Sequence, residues 1–454
     1  MKPGAENGKD RRLIAKNPHL DAVGMKRLIW RGLIALALTL TFRTFQFFPG
    51  MFYVQESWFA LCFLAVLFAY PFWKIWSGLR FSSFEVYLFV LMSVGTILAA
   101  GRAQQVFGQP LMYGTLSQRA MVLIAALLIG VNLLRCGKIA PGDIEAALLF
   151  LAWSNFVLFG TMRLLLNPSN FAAYGDGFVT LSMPGTEPSF KFQSSFILFG
   201  VFYYAILGLR TKRTKYYLAA AVLFPVTLGG SGRGLTVCVG ATLLFCLYRV
   251  RGLRSASFAA VKFICIVMML GGVSYAIFPA FLSARISRFS DAFTTVLTGS
   301  ATQDSSATAR LFETLAALPY IREHPFFGNG VISQQWHGGA GAVMGEYFFA
   351  SDIGVVGVVF TYGALGSLLY LMQYRFALVA ARKPVDSRHR PLLDATKAFI
   401  LFSALYSLET GLCVWSAEVT LCFIALLCGI SAEEAAVESS LFRNGKICNS
   451  PRPA

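Results

Sequence analysis

Charge is scarce in this chain of 454 residues: only 13% are Asp, Glu, Lys or Arg, where a soluble protein of similar size carries about a quarter. Acid is scarcer still, 22 residues against 39 basic ones, and histidines number four. No Asp-x-Asp pair occurs, the stretch PGMFYVQES holds Glu56 as its single acid, and no Cys/His spacing suits a metal. Chemistry built on a carboxylate-held metal is therefore not expected, and no metal or cofactor is assigned. The nine cysteines show no C-x-x-C spacing. Most of them (Cys62, Cys238, Cys246, Cys265, Cys413, Cys422, Cys428) lie inside apolar segments, as small buried residues do. Internal repeats, a separate soluble domain and a cleavable signal peptide are missing too. The first 27 residues are polar and basic, and the apolar block after them is too long for a signal h-region.

What is present is apolar surface. Hydrophobic residues make up 56% of the chain and aromatics 15%. They gather in blocks of roughly 15 to 25 residues, long enough to cross a hydrocarbon core of about 30 Å as helices. The expectation is an all-α, polytopic membrane protein with about 12 transmembrane helices. The spans begin near Leu28, Trp58, Phe84, Ala120, Ile144, Phe190, Tyr216, Leu235, Phe258, Glu346, Ala395 and Ala417. Basic clusters fall on alternate connections: Arg11 to Arg27, Arg210 to Lys215, Arg249 to Arg254, and Arg382 to Arg390. With the N-terminus inside, all four are cytoplasmic, as the positive-inside rule requires. Residues 1–27 then form a basic cytoplasmic tail, 28–432 the transmembrane domain and 433–454 a second cytoplasmic tail. The net charge of +17 is thus a topological signal with some attraction to anionic membrane lipid, and no nucleic-acid partner is expected.

The basic residues left outside are nearly all arginine: Arg43, Arg102, Arg119, Arg163, Arg233, Arg285, Arg288, Arg310 and Arg322, with Lys191 the exception. Arginine grips phosphate with a planar fork, so an outward face stocked with it points to an anionic ligand. The outward connections are unequal, and the longest, 283–345, lies between spans nine and ten. Its first part is polar, DAFTTVLTGSATQDSSATA. Its second contains a helix candidate at about 307–321, in which Leu311, Leu315 and Leu318 recur at helical spacing with Phe312 beside them while Arg310 and Glu313 point elsewhere. Asp304, Ser305 or Ser306 suits its start. Such a helix lies along the membrane surface or covers a cavity there.

Arg233 stands out within LGGSGRGLTV. The apolar runs on either side, YYLAAAVLFPVTL and LTVCVGATLLFCLY, are each shorter than the roughly 20 residues of a full span. If both outer ends are cytoplasmic, the turn sits in a depression with Arg233 below the headgroups. Either the arginine snorkels to water, or it binds an anion, the role expected of intramembrane charge. In GTEPSFKFQSS, Glu187 and Lys191 are four apart and can face one another; they form a helix cap with an ion pair, or Glu187 is a base at a cavity mouth. His324 in R-E-H-P shapes a turn. His337 is either polar surface or a neutral imidazole able to accept a proton from a sugar hydroxyl. Few charges occur mid-span, the halves are not duplicated, and SGLRFSS lacks the acidic–basic signature of major-facilitator transporters, so ion-coupled transport is poorly supported.

S-G-R-G opening span eight, A-R-L-F-E-T…R-E-H-P-F-F-G-N-G in the long loop and G-T-E-P-S-F before span six together resemble the O-antigen polymerase and O-antigen ligase superfamily. The resemblance is topological over essentially the whole chain and short-motif in residues. It implies a bacterial inner-membrane, metal-independent glycosyltransferase of GT-C-type helical fold, with both termini cytoplasmic and the active site facing the periplasm. Arg233 matches the family's arginine after the small-residue turn, Arg310 the arginine opening the loop helix, and H-P-F-F-G-N-G the family's H-P-x-x-G-x-G. The ligase branch follows with H-N-x-x-L, whereas His337 is followed by G-G-A-G. Ser351-Asp352-Ile353-Gly354 and G-T-E-P-S-F are closer to polymerases. The implied donor is a glycan on undecaprenyl diphosphate, and the acceptor a second lipid-linked repeat unit. Arg233 and Arg310, with Arg285 and Arg288, would meet the departing diphosphate; Lys191, Arg163 and His324 would bind glycan or diphosphate, and Glu187 or His337 would be the base. A chain-length regulator protein is an implied partner. The alternatives are a ligase acting on lipid A-core and, from another class, a lipid-linked-oligosaccharide flippase.

Overall fold

The computed structural model describes residues 18–45, 48, 50–77, 81–174, 179–180, 189–190, 194–228, 233–252, 305–345, 348–383 and 389–443, with isolated positions between 254 and 298. The described chain is helical almost throughout. In order come α1 (Pro18–Thr41), α2 (Met51–Trp76), α3 (Ser83–Phe107), α4 (Leu111–Ser117), α5 (Arg119–Arg135), α6 (Pro141–Leu165), α7 (Ser195–Thr211), α8 (Thr214–Leu228) and α9 (Arg233–Arg251). After the long connection follow α10 (Ser305–Glu323), α11 (Ala340–Met344), α12 (Gly354–Ala381), α13 (Arg390–Thr410), α14 (Leu412–Trp415) and α15 (Ala417–Arg443). Two residue pairs, Val179–Thr180 and Ser189–Phe190, form a short antiparallel ladder before α7.

Among the described residues six helices are long and apolar enough to cross a membrane, or up to seven if α4 and α5, bent by 49° at their junction, make one span. The chain is therefore a polytopic helical membrane protein. The ninth expected span, from Phe258, lies outside the described residues, as does the expected turn 229–232. The argument from short flanking helices holds for α8, with 15 residues, and less for α9, which takes in Arg233 and both terminal arginines to reach 19.

Local sequence sets the ends. Ser82 and Glu85 form a reciprocal capping box at the start of α3. Prolines occupy the first turns of α6 and α13, where a missing N–H costs nothing. At the centre, phenylalanines from the end of α1 and from α7, α13 and α15 meet ring to ring: Phe42 stacks on Phe196 at 4.6 Å, and Phe399 lies tilted against Phe423 at 4.0 Å between ring centroids. Large apolar side chains such as Leu164, Ile75 and Trp76 project outward instead. That inversion is natural for helices whose solvent is lipid, since tails are as apolar as leucine and association rests on close packing.

Ion pairs and basic residues gather at both ends of the bundle. Arg210 pairs with Asp394 at the start of α13, and Arg135 and Lys383, at the ends of α5 and α12, line one cavity with the start of α3. At the other end of α13 and the start of α15, Glu409 pairs with Arg310 and Glu418 with Arg43.

Candidate functional site

The long-loop helix α10 is four residues longer than its expected core, and its faces are reversed from the sequence expectation. Glu313 and Ala317 are buried, while Phe312 and Leu315 are exposed. The buried side packs on Phe348, Ile353 and Phe360. At a membrane boundary an apolar stripe does not mark the inward face, because the outside is also apolar. The face chosen is the one that brings Arg310 and Glu313 inward.

Arg310 Nη1 donates to Glu409 Oε1 at 2.8 Å across 99 residues of sequence, with the two side chains 38% and 27% exposed. Glu409 ends α13, and two more element ends meet it. A Cβ at Gly234, in the first turn of α9, would overlap the Glu409 carboxylate, and a Cβ at Gly354, at the start of α12, would strike the Leu408 and Glu409 backbone. Only glycine permits either approach. Glu409 thus lies where one helix presents its positive end to the carboxylate and a second meets the adjoining backbone, and where Arg310 supplies a further positive group. Arg233 opens α9 beside Gly234.

Glu313 follows Arg310 by one helical turn. Its Oε1 accepts the Phe349 N–H at 3.1 Å, and its Oε2 is buried with no hydrogen-bond partner among the described residues. Burial pushes its carboxyl up to about 7; the Phe349 N–H opposes the rise, nearby Asp352 adds to it, and Arg310 opposes it.

The motif H-P-F-F-G-N-G meets α12 backbone to backbone. Helix α12 is broken at Gly363 (φ 64°), and the loop fills the break. Asn329 N–H and Nδ2 both donate to Phe360 O, at 2.8 and 2.9 Å, and Gly330 N–H donates to Thr361 O at 2.8 Å. In return Ala364 N–H donates to Pro325 O at 2.8 Å and Leu365 N–H to Phe326 O at 3.0 Å. A Cβ at Gly328 or Gly363 would strike backbone across this clasp, and one at Gly330 would strike the backbone of α3 at Ala99 and Ala103. His324 belongs to it as the residue after α10, its N–H bonded to Tyr320 O and its carbonyl accepting from Gly328.

The remaining sequence candidates are dispersed. His337 is exposed, with left-handed backbone (φ 46°) and Trp336 as its ring neighbour; no contact among the described residues joins it to Arg310. Arg163 is half-buried in the last turn of α6, which packs on α1, α7 and α8 rather than on the Arg310 cluster. Glu187, Lys191, Arg285 and Arg288 lie outside the described residues, as does the Arg233 side chain. Of the other outward arginines, Arg43 holds Glu418, Arg119 holds Glu56 at 2.8 Å, and Arg102 donates to Gly328 O and Gln105. Among the described residues no three His, Cys, Asp or Glu side chains converge as a metal-binding group.

Sequence reading missed Glu409 and passed over Glu313. The available signal was a lone carboxylate at the end of an apolar helix, SALYSLETG, on the side where the arginines collect. Fold and cluster together define a polytopic helical membrane protein with a charged, half-open site at one end of its bundle. No known family model matches the chain, and no curated protein sequence matches it either.

Proposed function

We propose that the chain is a bacterial inner-membrane glycosyltransferase that polymerises oligosaccharide repeat units carried on undecaprenyl diphosphate, acting on the periplasmic side of a twelve-span, GT-C-type bundle with both termini in the cytoplasm. The observation that carries this reading is the meeting of Arg310 with the first turn of α9 at the Glu409 carboxylate. One helix N-terminus and a guanidinium at the carboxylate, with a second helix start against the adjoining backbone, make a seat suited to a second, stronger anion.

In the reaction, a hydroxyl on the terminal sugar of one lipid-linked unit attacks the anomeric carbon of the other. The new glycosidic bond forms as the bond to diphosphate breaks, inverting the anomeric centre. Undecaprenyl diphosphate leaves with increased negative charge, which Arg310 and the α9 start, with Arg233, stabilise. Glu409 keeps the Arg310 fork oriented before the anion arrives, so little reorganisation is left for the transition state. Glu313 takes the proton of the attacking hydroxyl, for which a carboxyl titrating near neutrality is well matched. Glu187 remains a second candidate for that role, and His337, exposed and unlinked to the pair, a weaker one. A chain-length regulator is the expected protein partner.

Deleting the protein tests the reading. The expected result is accumulation of single-repeat lipid-linked units on the outer face of the membrane. Long lipid-linked polymer would identify a ligase acting on lipid A-core instead, and units held on the cytoplasmic side a flippase.

A further inference from the structure

The end of the bundle away from Arg310 holds a cavity of about 810 Å³ between α3, α5, α12 and α15. Its walls are apolar, built from Phe84, Val90, Leu369, Met372 and Phe376, and three cations line it: Arg135, Arg375 and Lys383. Among the described residues no carboxylate lines it. Glu85 lies 3.4 Å from Arg135, and that carboxylate already takes Lys74 at 2.8 Å, the Tyr70 hydroxyl at 2.6 Å, the Ser82 N–H at 2.5 Å and the Asn132 amide. Elsewhere at this end two ion pairs form, Arg31 with Asp143 and Arg210 with Asp394. What sets the cavity apart is that its cations line an apolar groove.

Arg375 and Val379 are four apart on α12 and share one face, and Lys383 stands two residues past the helix end on the wall of the same cavity. Val86 and Val379 are 49% and 53% exposed, which opens the groove sideways, between membrane-crossing helices, to whatever surrounds the bundle. A soluble anion would gain nothing from these walls. A phospholipid acyl chain would cover them while its phosphodiester met the cations, an arrangement in which basic pockets between spans hold anionic headgroups.

We propose that this groove is a binding site for an anionic phospholipid of the cytoplasmic leaflet, its phosphate held by Arg375 and Lys383 with Arg135, and one acyl chain lying along Phe84, Val90 and Met372. The proposal does not depend on the transferase reading.

The test uses the purified full-length protein in detergent, titrated with phosphatidylglycerol and, separately, phosphatidylethanolamine, with retained lipid counted by native mass spectrometry. Phosphatidylglycerol is expected to be retained preferentially, and excess inorganic phosphate not to displace it. Each membrane-proximal cation strengthens anionic-lipid binding about five-fold, so Arg375→Gln with Lys383→Gln should lower retention roughly 30-fold. Val379→Trp, which keeps every charge but fills the groove, should lower it comparably. Arg249→Gln with Arg251→Gln should leave it unchanged. Preference surviving either groove variant, loss of it in the Arg249/Arg251 variant, or displacement by phosphate would each overturn the proposal.

Discussion

Glu85 and Glu409 are each a single carboxylate facing a cation from another helix, at opposite ends of the bundle. Around Glu85 everything is closed. Lys74, Tyr70, Asn132 and Glu85 are each 1% exposed or less, and both carboxylate oxygens are occupied by lysine, phenol, amide and backbone N–H. Around Glu409 the pair is more than a quarter exposed, and one turn from Arg310 a buried carboxylate oxygen of Glu313 stays unbonded. A saturated cluster has nothing left to offer a ligand and holds helices together. An unsaturated one, at the joint of four element ends, keeps bonding capacity in reserve.

The comparison can be broken from either side. Lys74→Met strips the buried cation from a dry carboxylate and should destabilise the fold by about 3–5 kcal/mol, the usual cost of breaking a buried pair; unfolding in detergent measures it, and an unchanged midpoint would mean the cluster is not a lock. Arg310→Lys should leave stability within about 1 kcal/mol of the parent, as expected for a half-exposed pair. Polymerising activity, followed by product chain length, should nevertheless fall about 100-fold or more because the fork is lost. A stability loss as large as that of Lys74→Met would erase the distinction.

Glu313→Gln sharpens it in the pH dimension. Because the folded carboxyl is raised from its ordinary 4.5 to about 7, its stabilising contribution is full below about 4.5 and is lost as pH rises towards 7. The parent should therefore lose stability between pH 4.5 and 7 more steeply than the glutamine variant does. Activity in the parent should rise through about pH 7, and the variant should lack that limb; a retained limb would assign the base elsewhere.

Much of this was written plainly in the chain. Apolar blocks and alternating basic clusters gave the helices and their ends, and R-L-F-E at helical spacing put Arg310 and Glu313 on one turn. What could not be read locally were the partners. Glu409 meets Arg310 from 99 residues away, and nothing beside Gly234 or Gly354 announces that a carboxylate and a helix end must press against them. The inward face of α10 was misleading because apolarity no longer separates inside from outside at a membrane.

That clasp has a mechanical side. The segment 325–330 is bolted into the break of α12 by five backbone and side-chain bonds, so α10 is a rod pinned at its C-terminal end. From His324 back to Arg310 the rod is about 21 Å long, and a tilt of roughly 10° about the pin swings the guanidinium by about 4 Å. A small rotation at the motif is thereby geared up to the full making or breaking of the Arg310–Glu409 contact.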